Sequence, residues 1–202
     1  MVGKTTDLKL RILDLYRKNY LARFHIREMA LYMKKSHVTL LPHLDALEKD
    51  NILTVKISGK NKEYTLNFDN ILTKHTVLLT EIAAAIQYVE RVFLIKKLLT
   101  ELFELNLKGT VVLFGSYSKG TFTDESDIDL LYIGKLTKKQ EAAIKNIGSI
   151  YGKKIDLKVT QKFKQGIRKK DPLFKEIIKN HILLQRPDTF IDTLWRYYDE
   201  IR

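Results

Sequence analysis

The chain has 202 residues, no cysteine and a formal net charge of +12. A hydrophobic content of 45% with 30% charged residues describes a soluble globular chain of one or two domains. That composition excludes disulfides and thiolate metal sites, and no apolar run approaches the length of a bilayer span. The polar start, Met1–Asp7, has no signal-peptide core, so a cytoplasmic location is expected. The charge is uneven: residues 1–70 carry +5, residues 71–107 are neutral and residues 108–202 carry +7. The five His are scattered without metal-ligand spacing.

From the amino terminus, Asp7–Tyr20 reads as an amphipathic helix through Leu8, Ile12, Leu15 and Tyr16. A shorter one follows over Ile26–Lys34, with Ile26, Met29, Ala30 and Met33 on one side. A third runs to about Asp50 and turns Leu41, Leu44 and Leu47 inward. Either Ser36 or Thr39 can cap it; Thr39 is preferred, because it leaves Pro42 in the first turn, where no backbone donor is needed. Ile52–Ser58 and Glu63–Phe68 alternate as strands around the turn Gly59–Lys62. Three helices and a hairpin are similar to a winged helix-turn-helix domain. Lys34, Lys35, Lys56, Lys60 and Lys62 are then the candidates for nucleic-acid contact, although protein contact or dimerisation is an equally open use of such a domain.

Residues 71–107 read as one long helix or two with a break, apolar over a wide arc that includes Ile82, Ile86, Val89, Phe93, Leu98 and Leu102. A helix apolar on so many sides must be covered, by a neighbouring domain or by a second copy. A homodimer is the expectation. Three segments result: 1–70, a linker or dimerisation segment 71–107, and 108–202.

The stretch Val111–Leu130 carries most of the chemistry. It reads as a buried strand, a Gly115-Ser116 turn, a ten-residue spacer, and Asp127-Ile-Asp129 opening a second apolar strand. Strand period two puts Asp127 and Asp129 on one face, and two carboxylates held together call for a hard cation. Gly115 permits close backbone approach to a ligand, Ser116 and the following amides suit phosphate, and Lys119 adds a cation. This ordering points to a metal-dependent phosphoryl or nucleotidyl site.

Gly115-Ser116, ten residues, Asp127-x-Asp129 resembles the signature of the DNA polymerase β-type nucleotidyltransferase superfamily. Within it, Gly-Ser-Tyr-Ser-Lys-Gly and Ser-Asp-Ile-Asp-Leu are most similar to the minimal nucleotidyltransferases, over roughly residues 108–186. Ser118-Lys119 stands where that family usually has Ala-Arg, so the charge is kept and Arg's bidentate geometry is lost. The resemblance asks for a third carboxylate on a later strand, and Lys154-Ile-Asp156-Leu-Lys-Val159 offers Asp156. It implies two Mg²⁺ ions on Asp127, Asp129 and Asp156 as the catalytic and metal set. It also implies an NTP donor, in the first place ATP, held by Gly115, Ser116 and Lys119. The fold implied is α+β: a winged helix-turn-helix, a helical linker, and a mixed sheet flanked by helices. Together these features resemble the archaeal winged-helix nucleotidyltransferases.

Downstream, Thr137–Ile150 fits a crossover helix, Asp171-Pro172 starts a helix through Asn180, and Phe190–Ile201 makes a last one with Trp195 as a packing anchor. Lys153–Lys170 contains eight basic residues and the single acid Asp156, a surface suited to a polyanion. Two acceptors stay open: a nucleic-acid 3′ end, or a protein hydroxyl, since minimal nucleotidyltransferases often act as antitoxins that AMPylate a partner ribonuclease. The rival from another class is a DNA-binding regulator whose transferase domain only senses nucleotide.

Overall fold

The structure is a computed structural model that describes residues 4–59 and 61–202. The chain forms two compact units, one reaching to Thr80 and including Tyr198–Arg202, the other Glu81–Tyr197. Among the described residues no helix is long and apolar enough to cross a membrane.

The first unit holds α1 (Lys4–Asp14), β1 (Phe24–His25), α2 (Ile26–Met33), α3 (His37–Lys49), β2 (Leu53–Ser58) and β3 (Asn61–Leu66). The strands make an antiparallel sheet in the order β1-β3-β2. Helix α1 stops at Asp14 instead of running to Tyr20. Beyond it the backbone tightens into three-residue turns, with Leu15, Tyr16 and Arg17 donating to Ile12, Leu13 and Asp14. Tyr16 and Tyr20 are buried nonetheless, and the Tyr16 hydroxyl donates to the Tyr64 carbonyl at 3.0 Å. Ser58 faces Asn61 across the hairpin, Gly59 has φ 61°, and β3 begins two residues before the expected Glu63.

Helix α3 departs from the sequence expectation. Ser36, not Thr39, is the cap, its hydroxyl accepting the Thr39 N–H at 3.2 Å, and Pro42 lies inside the helix. An interior proline costs about 3 kcal/mol. Three buried leucines, Leu40, Leu44 and Leu47, contribute about 1.5–3 kcal/mol each and outweigh it. The preceding helix also leaves no slack: Lys34 ends α2 in the left-handed region at φ 51° and Lys35 N–H donates back to the Ala30 carbonyl. The chain must restart at once, and Ser36 is the first residue able to cap. In this register Leu40 points inward and Leu41 is exposed.

The expected break in the long apolar segment is at Val92, between α4 (Ile71–Arg91) and α5 (Phe93–Glu104). The second unit continues with β4 (Thr110–Phe114), α6 (Gly115–Lys119), β5 (Ile128–Ile133), α7 (Lys138–Ile150) and β6 (Ile155–Thr160). It closes with α8 (Phe163–Arg168), α9 (Pro172–Lys179), β7 (Ile182–Gln185) and α10 (Asp188–Ile201). Its four strands form a mixed sheet ordered β6-β5-β4-β7, with β5 and β6 parallel and β4 antiparallel to both neighbours. Helices α5 and α7 bury Ile95, Leu98, Leu102, Ile144 and Ile147 in one core with Val111, Leu113, Leu130 and Tyr132. A crossover helix between parallel strands is what α7 must be, because β5 and β6 run the same way. Thr137 caps it reciprocally with Gln140.

Candidate active site

Strand β4 is buried along its whole length, and its last residue, Phe114, pairs with Asp129 of β5. The next residue therefore begins beside the Asp129 carboxylate. A Cβ on Gly115 would lie 1.9 Å from Asp129 Oδ2, and Gly115 also has φ 70°. Glycine is required here twice over, by space and by backbone.

Helix α6 is pinned by its inner side. Tyr117 is buried and stacks on Phe122 with centroids 4.3 Å apart, and the Tyr88 hydroxyl donates to the Tyr117 carbonyl at 2.7 Å. Ser118 donates to the Asn180 and Gly115 carbonyls, both at 3.0 Å. Ser116 is half-buried and Lys119 exposed. Lys119 Nζ pairs with Glu176 Oε1 at 2.7 Å, and Glu176 also accepts from the Asn180 amide at 3.1 Å. The Lys119 and Asn180 hydrogen bonds hold the Glu176 carboxyl below the usual carboxylate range.

The carboxylates meet through strand register. Asp129 pairs with Asp156 across the parallel β5–β6 ladder, and Ile128 with Ile155 one step earlier on the buried side. Asp127 lies immediately before β5. Burial, then the Asp156 charge, pushes the Asp129 carboxyl above its ordinary value; Asp127 adds to this, and Lys158 and Lys119 oppose it. Asp127, Asp156 and Lys119 thus all act on Asp129 electrostatically.

Two further cations sit in this group. Lys154 Nζ lies 2.9 Å from Asp127 Oδ2, and Lys158 Nζ 3.1 Å from Asp156 Oδ2. The alternation Lys154-x-Asp156-x-Lys158 puts all three on one side of an extended segment, a pattern readable in the sequence and not used there. Glu176 left no such signal, because its partner is chosen by tertiary packing.

The donor set is suited to Mg²⁺ in kind: hard carboxylate oxygens, one of them half-buried beside like charges that a divalent cation would relieve. Among the described residues no three His, Cys, Asp or Glu gather closely enough to cage an ion by themselves. Such an ion would use one or two of these carboxylates and take its remaining ligands from phosphate and water, the usual habit of Mg²⁺.

Residues 95–184 match the family model of the nucleotidyltransferase domain. The matched span contains the glycine turn, all three aspartates, Lys119, Lys154 and Lys158. It supports a general nucleotidyl-transfer activity, and the mixed sheet with its flanking helices is consistent with that domain. No curated protein matches the chain.

Among the described residues, the lysine candidates of the first unit fall in separate places. Lys34 and Lys35 share an open cleft of about 490 Å³ with Arg27, Ser36 and His37. Lys56 and Lys62 sit on the paired strands β2 and β3, with Lys62 3.4 Å from Glu48. Lys60 is outside the described residues.

Proposed function

We propose that the protein transfers an NMP from an NTP to an acceptor hydroxyl, with Asp127, Asp129 and Asp156 as the catalytic carboxylates. The observation that carries this reading is the Asp129–Asp156 register beside a glycine that no side chain can replace. Gly115 lets the backbone approach the triphosphate, and Ser116 with the turn amides would hold its β- and γ-phosphates. Lys119, once released from Glu176, would neutralise the departing pyrophosphate. The acceptor oxygen attacks the α-phosphorus, the bond to the β-phosphate oxygen breaks, and Asp156 takes the hydroxyl proton. Two Mg²⁺ ions on the three aspartates would supply a lowered hydroxyl pKa and charge neutralisation at phosphate. Lys154 and Lys158 would be the cations that hold Asp127 and Asp156 before metal and nucleotide arrive.

We read the first unit as a winged helix, supported by three helices on a β1-β3-β2 sheet, that brings an acceptor or a partner. Self-association is supported by Leu72, Leu79, Ile82 and Ile86, which recur at three-, four- and seven-residue steps along α4 and are exposed. The test is incubation with labelled ATP, CTP, GTP or UTP and Mg²⁺, in the presence of RNA, DNA or protein extract. Label entering one polymer class confirms the reaction and identifies the acceptor. Label entering none, with tight duplex binding, would establish the DNA-binding regulator instead.

A further inference from the structure

Asp156 faces two ways. Besides its pairing with Asp129, it lines an open cleft of about 480 Å³ on the outer side of β6. The cleft is bounded by Lys145 and Ser149 of α7, by Lys153 and Lys154 of the turn after it, and by Leu157. Strand β6 is the sheet's edge, so no further strand of this sheet covers that side.

The charge in this cleft is positive. Three ammonium groups stand against one carboxylate and the end of α7, which contributes about half a negative charge. Pairing Lys154 with Asp127 reduces the excess without reversing it. Lys153 Nζ donates to the Asp124 carbonyl, a neutral partner that leaves its charge uncompensated. Lys145 is exposed and has no ion pair among the described residues. By residue type, its apolar lining is Ile155 and Leu157.

We propose that this cleft binds the terminal phosphates of a single-stranded nucleic acid and presents its 3′ hydroxyl to Asp156. The proposal rests on the transferase reading above and names its acceptor. The chemistry behind it is simple: a 3′ hydroxyl and its own 5′ phosphate belong to one nucleotide. A strand that delivers the hydroxyl must lay phosphates on the adjoining surface. Here that surface carries Lys145 and Lys153.

The test measures binding of 3′-hydroxyl RNA and DNA oligonucleotides by fluorescence anisotropy across a salt series, for the parent and for Lys145→Ala/Lys153→Ala. Removing two phosphate contacts should flatten the slope of log affinity against log salt by about 1.4, at about 0.7 per contact for single strands. In the transfer assay the same variant should raise KM for the oligonucleotide, leaving KM for NTP unchanged. Lys145→Glu, a single change at an exposed position, should weaken binding further than Lys145→Ala. Preference for RNA or for DNA in these arms identifies the sugar recognised. Unchanged affinity and slope would overturn the proposal, as would transfer of label to protein alone. Oligonucleotide bound through these lysines by a protein that transfers no nucleotide ends the acceptor role and the transferase reading together. Transfer that proceeds with lysine-independent binding ends only the cleft.

Discussion

The two compact units use charge in opposite ways. In the second, strand register sets Asp129 opposite Asp156, Asp127 lies just before the same strand, and Lys154 and Lys158 pair with Asp127 and Asp156. In the first, the described candidate lysines are dispersed over a helix end and two strands, and Lys34 and Lys35 share a cleft. Register is an all-or-none device: a one-residue slip of β6 would turn Asp156 to the other face. A loop lysine answers to no such constraint. Function written into paired strands is therefore concentrated and sensitive to single atoms, whereas function written into surface lysines is additive and tolerant.

Asp129→Asn breaks the comparison hardest. Nucleotidyl transfer should fall about 10³-fold, the several kcal/mol that a metal-binding carboxylate supplies. Stability should move the other way. Burial raises the Asp129 pKa, so the folded state holds this proton more tightly than the unfolded chain. Stability is then lost as pH rises from the ordinary carboxylate value through the raised one. The variant lacks that loss, so its melting temperature should exceed the parent's above this window and the gap should close below it. Melting curves with Mg²⁺ and NTP add a control: the ligands should stabilise the parent by about 2.7 kcal/mol at a hundredfold excess over Kd, and the variant far less.

Gly115→Ala tests the space beside that carboxylate. The new Cβ would fall on Asp129 Oδ2, and displacing a reacting group by about 1 Å costs about 10²-fold in rate. Gly120→Ala is the matched control. Its φ of 71° carries a similar backbone cost of about 1–2 kcal/mol, but no atom lies within 4 Å of the added Cβ. Activity should therefore separate the two variants where thermal stability does not. Equal activity losses would mean that backbone strain, not the contact with Asp129, sets the requirement for glycine.

In the first unit the largest single effect should be on stability. Pro42→Ala restores a donor inside α3 and should stabilise the unit by up to about 3 kcal/mol. Ser36→Ala removes the cap and should cost about 1 kcal/mol. Chemical denaturation reads both, and a destabilising Pro42→Ala would refute the helix register seen here.

Pro42 also marks where the sequence misleads. Local rules put it at a helix start, but three leucines can be buried together only if the helix begins earlier. The alternation around Asp127, Asp129 and Asp156 was legible because strand period does not depend on the rest of the fold. Which strands those residues pair across was not, and Asp129 opposite Asp156 is a tertiary fact. Strand β7 went unread for another reason: Ile182–Gln185 is a short apolar run after a helix, and periodicity cannot separate such a run from helical core. The Lys119–Glu176 pair joins residues 57 positions apart, a distance no local pattern spans.

The smallest effect belongs to the lysine cleft of the first unit. If Lys34 and Lys35 contact duplex phosphates, removing both should lower the salt slope of duplex affinity by about 1.8, at about 0.9 per contact. Affinity should drop evenly across sequences, because phosphate contacts carry no base information. Transfer to a short single strand should be untouched by the same double substitution, whereas the Asp129→Asn variant should bind duplex as the parent does. That crossed pattern would assign docking to one unit and chemistry to the other. A double variant whose duplex affinity and salt slope match the parent's would leave the first unit a protein-contact module, and the dispersed lysines an ordinary solvated surface.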